Sequence, residues 1–144
     1  MLERYLKMIL NSRVYDVACE TPLVYAERLS RRLGNDVRMK REDLQPVHSF
    51  KCRGAYNRIA GLSDEESAGG IIAASAGNHA QGVALAARRR GIKALIVMPR
   101  TTPSIKIDAV RHYGARIQLA GDAYDEAYAH ARAMADEEGM VFIH

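Results

Sequence analysis

The sequence has only two cysteines, and none of its apolar runs approaches the roughly 18 residues that a membrane-spanning helix needs. Cys19 and Cys52 have neither the spacing of metal ligands nor a close partner, so they indicate neither a zinc site nor a disulfide framework. The first residues also lack the apolar core of a secretory signal. We therefore expect a soluble, cytoplasmic protein with neither a bound metal nor a membrane partner.

Positive charge is in small excess, and its distribution does not favour a nucleic-acid partner. The 144 residues carry a net charge of +4, but the basic residues are interspersed with acidic ones in helix-like stretches. The densest basic run, Arg88, Arg89 and Arg90, ends an apolar-striped segment, where cations complement the dipole of a helix C-terminus. With 48% hydrophobic and 26% charged residues, the composition is that of one ordinary globular domain.

The first 45 residues predict separate elements rather than a repeating pattern. Apolar residues at helical spacing predict a helix that begins at Met1 and ends near Asn11, and a short helix over residues 23–33 closed by Gly34. Residues 37–42 alternate apolar and charged side chains, which predicts a strand.

From residue 46 onward, short apolar strands alternate with helices. The pattern predicts helices over residues 49–62, 78–90, 102–113 and 122–138, and strands over residues 71–74, 94–98, 116–119 and 140–143. Such alternation indicates right-handed strand-helix-strand crossovers. We expect an α/β fold, an open parallel sheet with helices on both faces, preceded by an N-terminal helical segment.

One candidate site segment places a lysine at the start of a helix. Lys51 falls in the first turn of the helix that Ser49 is expected to cap, where the helix dipole disfavours a cation. A neutral lysine amine is what Schiff-base chemistry requires. Taken alone, the pattern favours the simpler interpretation, a lysine that reaches solvent.

A second candidate segment, residues 75–82, reads Ser-Ala-Gly-Asn-His-Ala-Gln-Gly and directly follows an apolar strand. Its small residues and the free amides of a helix N-terminus suit an anion such as a carboxylate or a phosphate. The Gly-Lys-Ser/Thr ending of a nucleotide phosphate loop is missing. A helix cap with Ser75 or Asn78 as N-cap fits equally well, and His79 alone is more typical of a structural histidine.

Together, the two segments resemble the two signatures of the serine/threonine dehydratase family of pyridoxal-phosphate enzymes, which have the tryptophan-synthase-β-like fold. Residues 49–55 read Ser-Phe-Lys-Cys-Arg-Gly-Ala, and the order and separation of the two segments also match. Residues 40–48 look most like the biosynthetic threonine dehydratase branch. Residues 94–99 and 106–111 extend the similarity over nearly the whole chain. Cys52 stands where relatives often have an aliphatic residue.

This resemblance implies roles for residues in both segments. Pyridoxal 5'-phosphate would be bound to Lys51 as a Schiff base, with Phe50 near its ring and Asn78 hydrogen-bonded to its ring hydroxyl. The substrate carboxylate would be held by the loop after the strand, which contains Ser75, Ala76, Gly77, Asn78 and His79. Freed Lys51 would remove the α-proton, and the β-hydroxyl would then be lost to give an enamine that hydrolyses. The products would be ammonia and 2-oxobutanoate from L-threonine, a step of isoleucine biosynthesis, or ammonia and pyruvate from L-serine.

The resemblance also implies a longer protein. Residues 1–45 would belong to a large cofactor domain, and residues 46–144 would form the small α/β domain. The family's glycine-rich loop for the cofactor phosphate, its partner for the pyridine nitrogen and the effector domain would lie beyond residue 144. We therefore expect an amino-terminal fragment of a homo-oligomeric, tetrameric enzyme, inactive by itself.

Two alternative functions stay open. Serine racemase and the catabolic serine/threonine dehydratases share both motifs. A non-catalytic α/β ligand-binding domain would leave Lys51 on the surface and use residues 75–79 as a plain anion site.

Overall fold

The N-terminal part of the chain forms a helix and a small two-stranded sheet. The structure is a computed structural model that describes residues 2–144, so Met1, where the first predicted helix begins, lies outside the described residues. The elements in this part are α1 (Leu2–Leu10), β1 (Leu23–Tyr25), α2 (Glu27–Leu33) and β2 (Arg38–Lys40). No helix within the described residues is both long enough and apolar enough to cross a membrane.

The prediction of one helix over residues 23–33 is wrong for its first part. Leu23–Tyr25 is a strand that pairs antiparallel with β2, and α2 begins only at Glu27. Pro22 keeps the chain extended at this point, and its carbonyl accepts a hydrogen bond from the Arg41 amide at 3.0 Å. The strand predicted over residues 37–42 is also shorter, because a 3-10 turn follows it at Glu42–Leu44.

Apolar side chains of this N-terminal part lie exposed. None of the described residues of α1 is buried, and its Leu2 and Leu10 are 84% and 74% exposed. Leu23 of β1 and Leu33 of α2 are also more than half exposed. The apolar stripes that the sequence analysis detected are therefore present, but the described residues do not cover them.

The rest of the chain forms the predicted parallel sheet. Its elements are α3 (Lys51–Ala60), α4 (Asp64–Ser67), β3 (Ile71–Ala74), α5 (Asn78–Arg90), β4 (Ala94–Met98), α6 (Ser104–His112), β5 (Arg116–Leu119), α7 (Tyr124–Glu138) and β6 (Val141–Phe142). The four strands lie in the order β5, β4, β3, β6, and all neighbours are parallel. In this register Ile72 lies between Leu95 of β4 and Phe142 of β6.

Helices cover both faces of the sheet, as predicted. Successive side chains of β3 point to opposite faces, so Ile71 packs with α3, α5 and α6, whereas Ile72 packs against α7. The side of α7 that meets the sheet presents three small residues at helical spacing, Ala127, Ala131 and Ala135. Both isoleucines are fully buried, and such burial stabilises the fold by about 2 kcal/mol for each side chain.

Most helix and strand bounds match the predicted ones within one or two residues, and the differences have local causes. Helix α7 begins at Tyr124 rather than at residue 122, because the Glu126 side chain accepts hydrogen bonds from the amides of Asp122 and Ala123 just before it. Helix α4 was not predicted, although the sequence carries its signal, a capping box formed by Ser63 and Glu66.

Candidate active site

The candidate site lies at the carboxyl edge of the parallel sheet, where the strand order reverses. From β3 the chain continues to β4 and β5 on one side, and α7 then returns it to β6 on the other side of β3. In open α/β sheets, ligands bind in the crevice at such a switch point, outside the carboxyl ends of the strands. The loop after β3, residues 75–77, is therefore in the position expected of a ligand-binding loop.

Two cavities of about 310 Å³ each meet at Lys51. The first is lined by Lys51, Ala74, Ser75, His79, Tyr124, Phe142, Ile143 and His144. The second is lined by Phe50, Lys51, Gly54, Ala55, Arg58, His79, Ile143 and His144. A cavity of about 330 Å³ lies at the other edge of the sheet, between the C-terminal ends of α5 and α6, and no residue of either motif segment lines it.

Lys51 is the first residue of α3, which confirms the prediction that it lies in the first turn of a helix. The expected cap is different, because Phe50 occupies the N-cap position and the Ser49 hydroxyl accepts a hydrogen bond from the Lys51 amide at 3.3 Å. Phe50 is 61% exposed and lines the second cavity beside Lys51. The lysine and the phenylalanine of the motif thus face the same space.

A strained turn leads the chain into this helix. His48 has a φ of 52°, in the left-handed region that residues other than glycine rarely adopt. Its amide donates to the Gln45 carbonyl at 2.7 Å, and the flanking Val47 and Ser49 are buried. The turn directs Val47 and Ser49 inward while Phe50 and Lys51 remain exposed at the cavities.

Polar contacts of Arg53 and Tyr56 hold α3 against the N-terminal part of the chain. Arg53, half a turn after Lys51, donates from Nε to Glu42 Oε2 at 2.8 Å, and Glu42 Oε1 also accepts from the Thr21 hydroxyl at 2.6 Å. The hydrogen bonds from Arg53, and then that from Thr21, lower the pKa of Glu42 to about 2. Further along α3, the Tyr56 hydroxyl donates to Asp16 Oδ2 at 2.8 Å.

The second motif segment forms the loop between β3 and α5. Gly77 is the N-cap residue of α5, so the alternative in which Ser75 or Asn78 caps the helix is wrong. The Ser75 hydroxyl instead accepts a hydrogen bond from the Gly77 amide at 3.2 Å, inside the loop. The first amides of α5 have no partner within the helix, which leaves them available to an anion.

The members of this loop differ in where they lie. Ser75 and His79 line the first cavity together with Lys51. Ala76, Gly77 and Asn78 are not part of the lining of either cavity, and the Asn78 side chain is exposed. The structure therefore brings Lys51, Phe50, Ser75 and His79 together. The roles expected for these four residues, and for Ala76, Gly77 and Asn78, remain predictions.

His79 joins the start of α5 to the end of β6. Its Nε2 lies 3.4 Å from the Ile143 carbonyl oxygen, which can only accept a hydrogen bond, so this nitrogen carries the proton. Burial lowers the pKa of His79 below its usual value, and the bond to Ile143 only partly opposes that effect. A neutral imidazole in the wall beside Lys51 therefore adds no positive charge to the cavity at neutral pH.

Sequence reasoning missed part of the cavity wall. Tyr124 at the start of α7 and Phe142, Ile143 and His144 at the end of β6 all line the first cavity. The ring of Phe142 packs edge-on against Tyr128 at a centroid distance of 5.3 Å. A signal was available, because the residues after each predicted parallel strand meet at one edge of the sheet.

A glycine of the second motif also has a position that the sequence did not reveal. A Cβ atom placed on Gly82 would lie 3.1 Å from the Lys51 carbonyl oxygen and 3.3 Å from the Ala55 Cβ. Helix α5 therefore crosses the first turn of α3 at very short range, at the residue that bears the candidate amine.

The residues present fit part of a pyridoxal phosphate site. An aldehyde requires a primary amine, which Lys51 presents at the junction of the two cavities. A carboxylate requires hydrogen-bond donors, which the Ser75 hydroxyl supplies in the wall of the first cavity and the free amides at the start of α5 supply near His79. Aromatic side chains against which a planar ring can pack border both cavities, with Tyr124 and Phe142 in the wall of the first and Phe50 in the wall of the second.

The chain belongs to the pyridoxal-phosphate dependent enzyme family, because the model of that family matches residues 14–144. The biosynthetic L-threonine dehydratase of Pasteurella multocida is 62% identical over 139 residues, which are 96% of this chain and 27% of that protein. The processed form of threonine deaminase isoform 2 from Solanum lycopersicum has a TM-score of 0.94 and 56% identity, over 99% of this chain and 39% of that one.

A more distant solved structure belongs to one of the alternative functions. Maize serine racemase has a TM-score of 0.86 and 36% identity, over 92% of this chain and 40% of that one. The chain spans about a quarter of the length of the curated relatives it matches, with 27% and 23% for two of them.

Proposed function

We propose that this chain is part of a pyridoxal-phosphate-dependent threonine dehydratase. The reaction is the elimination of water from L-threonine, and also from L-serine, followed by hydrolysis of the resulting enamine to ammonia and 2-oxobutanoate from threonine or pyruvate from serine. In the cell this reaction would serve isoleucine biosynthesis. The observation that carries the proposal is the single cavity on which the Lys51 amine, the Ser75 hydroxyl and the start of α5 converge. The 62% identity to a biosynthetic threonine dehydratase supports the choice of substrate.

When bound, pyridoxal phosphate supplies an electron sink that makes the α-proton of an amino acid easier to remove. The chain's own residues would supply the amine and the proton acceptor. Lys51 Nζ would hold the cofactor, and the same amine, once free, would take the α-proton of the substrate. Because Lys51 borders both cavities, one amine reaches both the cofactor and the substrate.

The loop after β3 would orient the substrate. The carboxylate is held by the amides at the start of α5 and by the Ser75 hydroxyl, and charge-assisted hydrogen bonds of this kind are roughly twice as strong as neutral ones. His79, held by the Ile143 carbonyl, forms the wall beside Lys51. Asn78 would be shared between the substrate and the ring hydroxyl of the cofactor, and Phe50 would pack near the ring.

The exposed apolar surface supports a division between two domains. We infer that residues 46–144 form the small α/β domain, and that residues 1–45 belong with a large domain that covers the apolar sides of α1 and β1. Leu2, Leu10 and Leu23 are each more than half exposed, which such a cover would explain. The whole enzyme would be a cytoplasmic homotetramer that acts on a small amino-acid substrate.

Absorbance and product analysis of the full-length protein test this proposal. A lysine-bound cofactor gives a visible absorbance band, and a threonine dehydratase then converts L-threonine to a 2-oxo acid and ammonia. Formation of D-serine without a 2-oxo acid would instead indicate the racemase function. A protein with neither the band nor a product would contradict the proposal and favour a non-catalytic ligand-binding domain.

A further inference from the structure

Gly82 lies in the middle of α5, where a glycine has no conformational reason to be present. Its φ does not lie in the left-handed region, and glycine inside a helix is less favourable than alanine. The residue is buried, so neither solvent nor a turn explains it. The remaining explanation is steric, namely that something lies too close for a side chain.

The atoms that lie close belong to the helix of the candidate amine. A Cβ on Gly82 would lie 3.1 Å from the Lys51 carbonyl oxygen, 3.2 Å from the Lys51 carbonyl carbon and 3.3 Å from the Ala55 Cβ. Two of these atoms are backbone, which cannot turn aside as the end of a side chain can. A methyl group at this position would therefore push the first turn of α3 away by a few tenths of an ångström.

We propose that Gly82 is a positioning residue for Lys51. Its missing side chain sets the separation between α5 and the first turn of α3, and thereby the place of the Lys51 amine relative to Ser75 and His79. His79 lies one turn before Gly82 on the same helix, so α5 carries both the cavity wall and the surface on which the lysine backbone rests. This inference rests on the proposed function, in which Lys51 holds the cofactor and takes the α-proton.

A purely structural role for Gly82 predicts a different result from a positioning role. If Gly82 only permits close packing, an added methyl group lowers thermal stability and leaves turnover by the folded enzyme unchanged. If it positions Lys51, turnover falls even where the protein is fully folded, since small displacements of reacting groups have large effects on rate. The chain offers a matched control in Gly61 at the end of α3, where a Cβ would meet ordinary contacts at 3.7 Å.

The test compares Gly82→Ala with Gly61→Ala in the full-length holoenzyme. For Gly82→Ala we expect a kcat about tenfold below wild type, a threonine KM within about twofold, and a changed pH dependence of the visible cofactor band. Gly61→Ala should match wild type in all three. A folded Gly82→Ala enzyme with wild-type kcat and an unchanged band would overturn the inference.

A second pair of variants applies if Gly82→Ala does not fold. Ala55→Gly removes the Ala55 methyl contact and leaves the contacts with the Lys51 carbonyl, so the double variant is compared with Ala55→Gly alone. The same loss of kcat is expected, and its absence would overturn the inference.

If wild type binds the cofactor but does not convert threonine, the proposed function alone fails. The cofactor band of Gly82→Ala and its rate of reduction by borohydride then decide the role of Gly82, and a wild type without any cofactor would overturn both.

Discussion

Arg53 Nε donates to Glu42 Oε2 at 2.8 Å, which joins the lysine-bearing helix to the N-terminal part of the chain. The two side chains are only 24% and 16% exposed, so water screens the pair less than it screens most surface ion pairs. Gln45, which donates to the same carboxylate at 3.2 Å, also accepts a hydrogen bond from the Cys19 amide. Residues 19–45 therefore help to hold α3, the helix that begins at Lys51.

We expect this ion pair to make the stability of the protein sensitive to acid. The folded pKa of Glu42, about 2, is below its ordinary value of 4.5, so the pair stabilises the fold above about pH 4.5. That contribution is lost as the pH falls from about 4.5 toward 2. Glu42→Gln should lower the free energy of unfolding at pH 7 by about 2 kcal/mol and flatten its pH dependence over that range.

Asp43→Asn is the matched control for that measurement, because Asp43 pairs with Arg41 in an exposed ion pair one residue away. Urea unfolding at several pH values should show little change for Asp43→Asn. Equal effects of the two substitutions on the free energy of unfolding would contradict the prediction. They would show that the ion pair between Glu42 and α3 stabilises the fold no more than an exposed ion pair does.

Borohydride reduction of the full-length holoenzyme, followed by peptide mapping, should place the cofactor on Lys51. Lys51 is the lysine that lines the cavities at the carboxyl edge of the sheet, whereas Lys93 precedes β4 at the opposite edge and Lys106 lies on α6. Lys51→Ala should abolish both the visible band and turnover, and Lys106→Ala should change neither. Label on Lys93 or Lys106 would defeat the assignment.

Gly77→Val should weaken substrate binding more than cofactor binding. A Cβ on Gly77 would meet no atom within 4 Å, so added bulk projects into open space beside the α5 amides rather than into the core. We expect the KM for threonine to rise about tenfold or more, because charge-assisted hydrogen bonds to the carboxylate are lost, while the visible band stays largely in place. Asn78→Ala should disturb both. Normal threonine binding by Gly77→Val would mean that the loop is only structural.

The 144 residues by themselves should fold but convert no threonine. The sheet and its helices bury a core on each face of β3 and β4, which supports folding. The exposed apolar side chains of α1 should make the isolated chain prone to associate, which light scattering would detect. Measurable 2-oxobutanoate from the purified chain would contradict the prediction that the cofactor site needs further residues.

The sequence by itself determined the regular part of the fold, because the signals there are local. The bounds of β3 and α5 agree with those read from the apolar run at Ile71–Ala74 and the helical stripe at Asn78–Arg90. The periodicity of apolar residues depends only on neighbours in the chain. A short, continuous apolar run is also typical of a parallel strand that is buried on both faces. The two motif segments likewise indicated Lys51 and the loop after β3 before any contact was known.

The tertiary structure decided what depends on contacts between distant segments. Leu23–Tyr25 became a strand because β2 is available to pair with it, which three residues cannot encode. Tyr124 and His144 reach the cavity because β6 lies beside β3 rather than beside β5. The reason for a glycine at position 82 is visible only in the tertiary structure, where α5 crosses α3 at Lys51. The distance between two packed helices depends on the size of the side chains at their contact, and Gly82 has none.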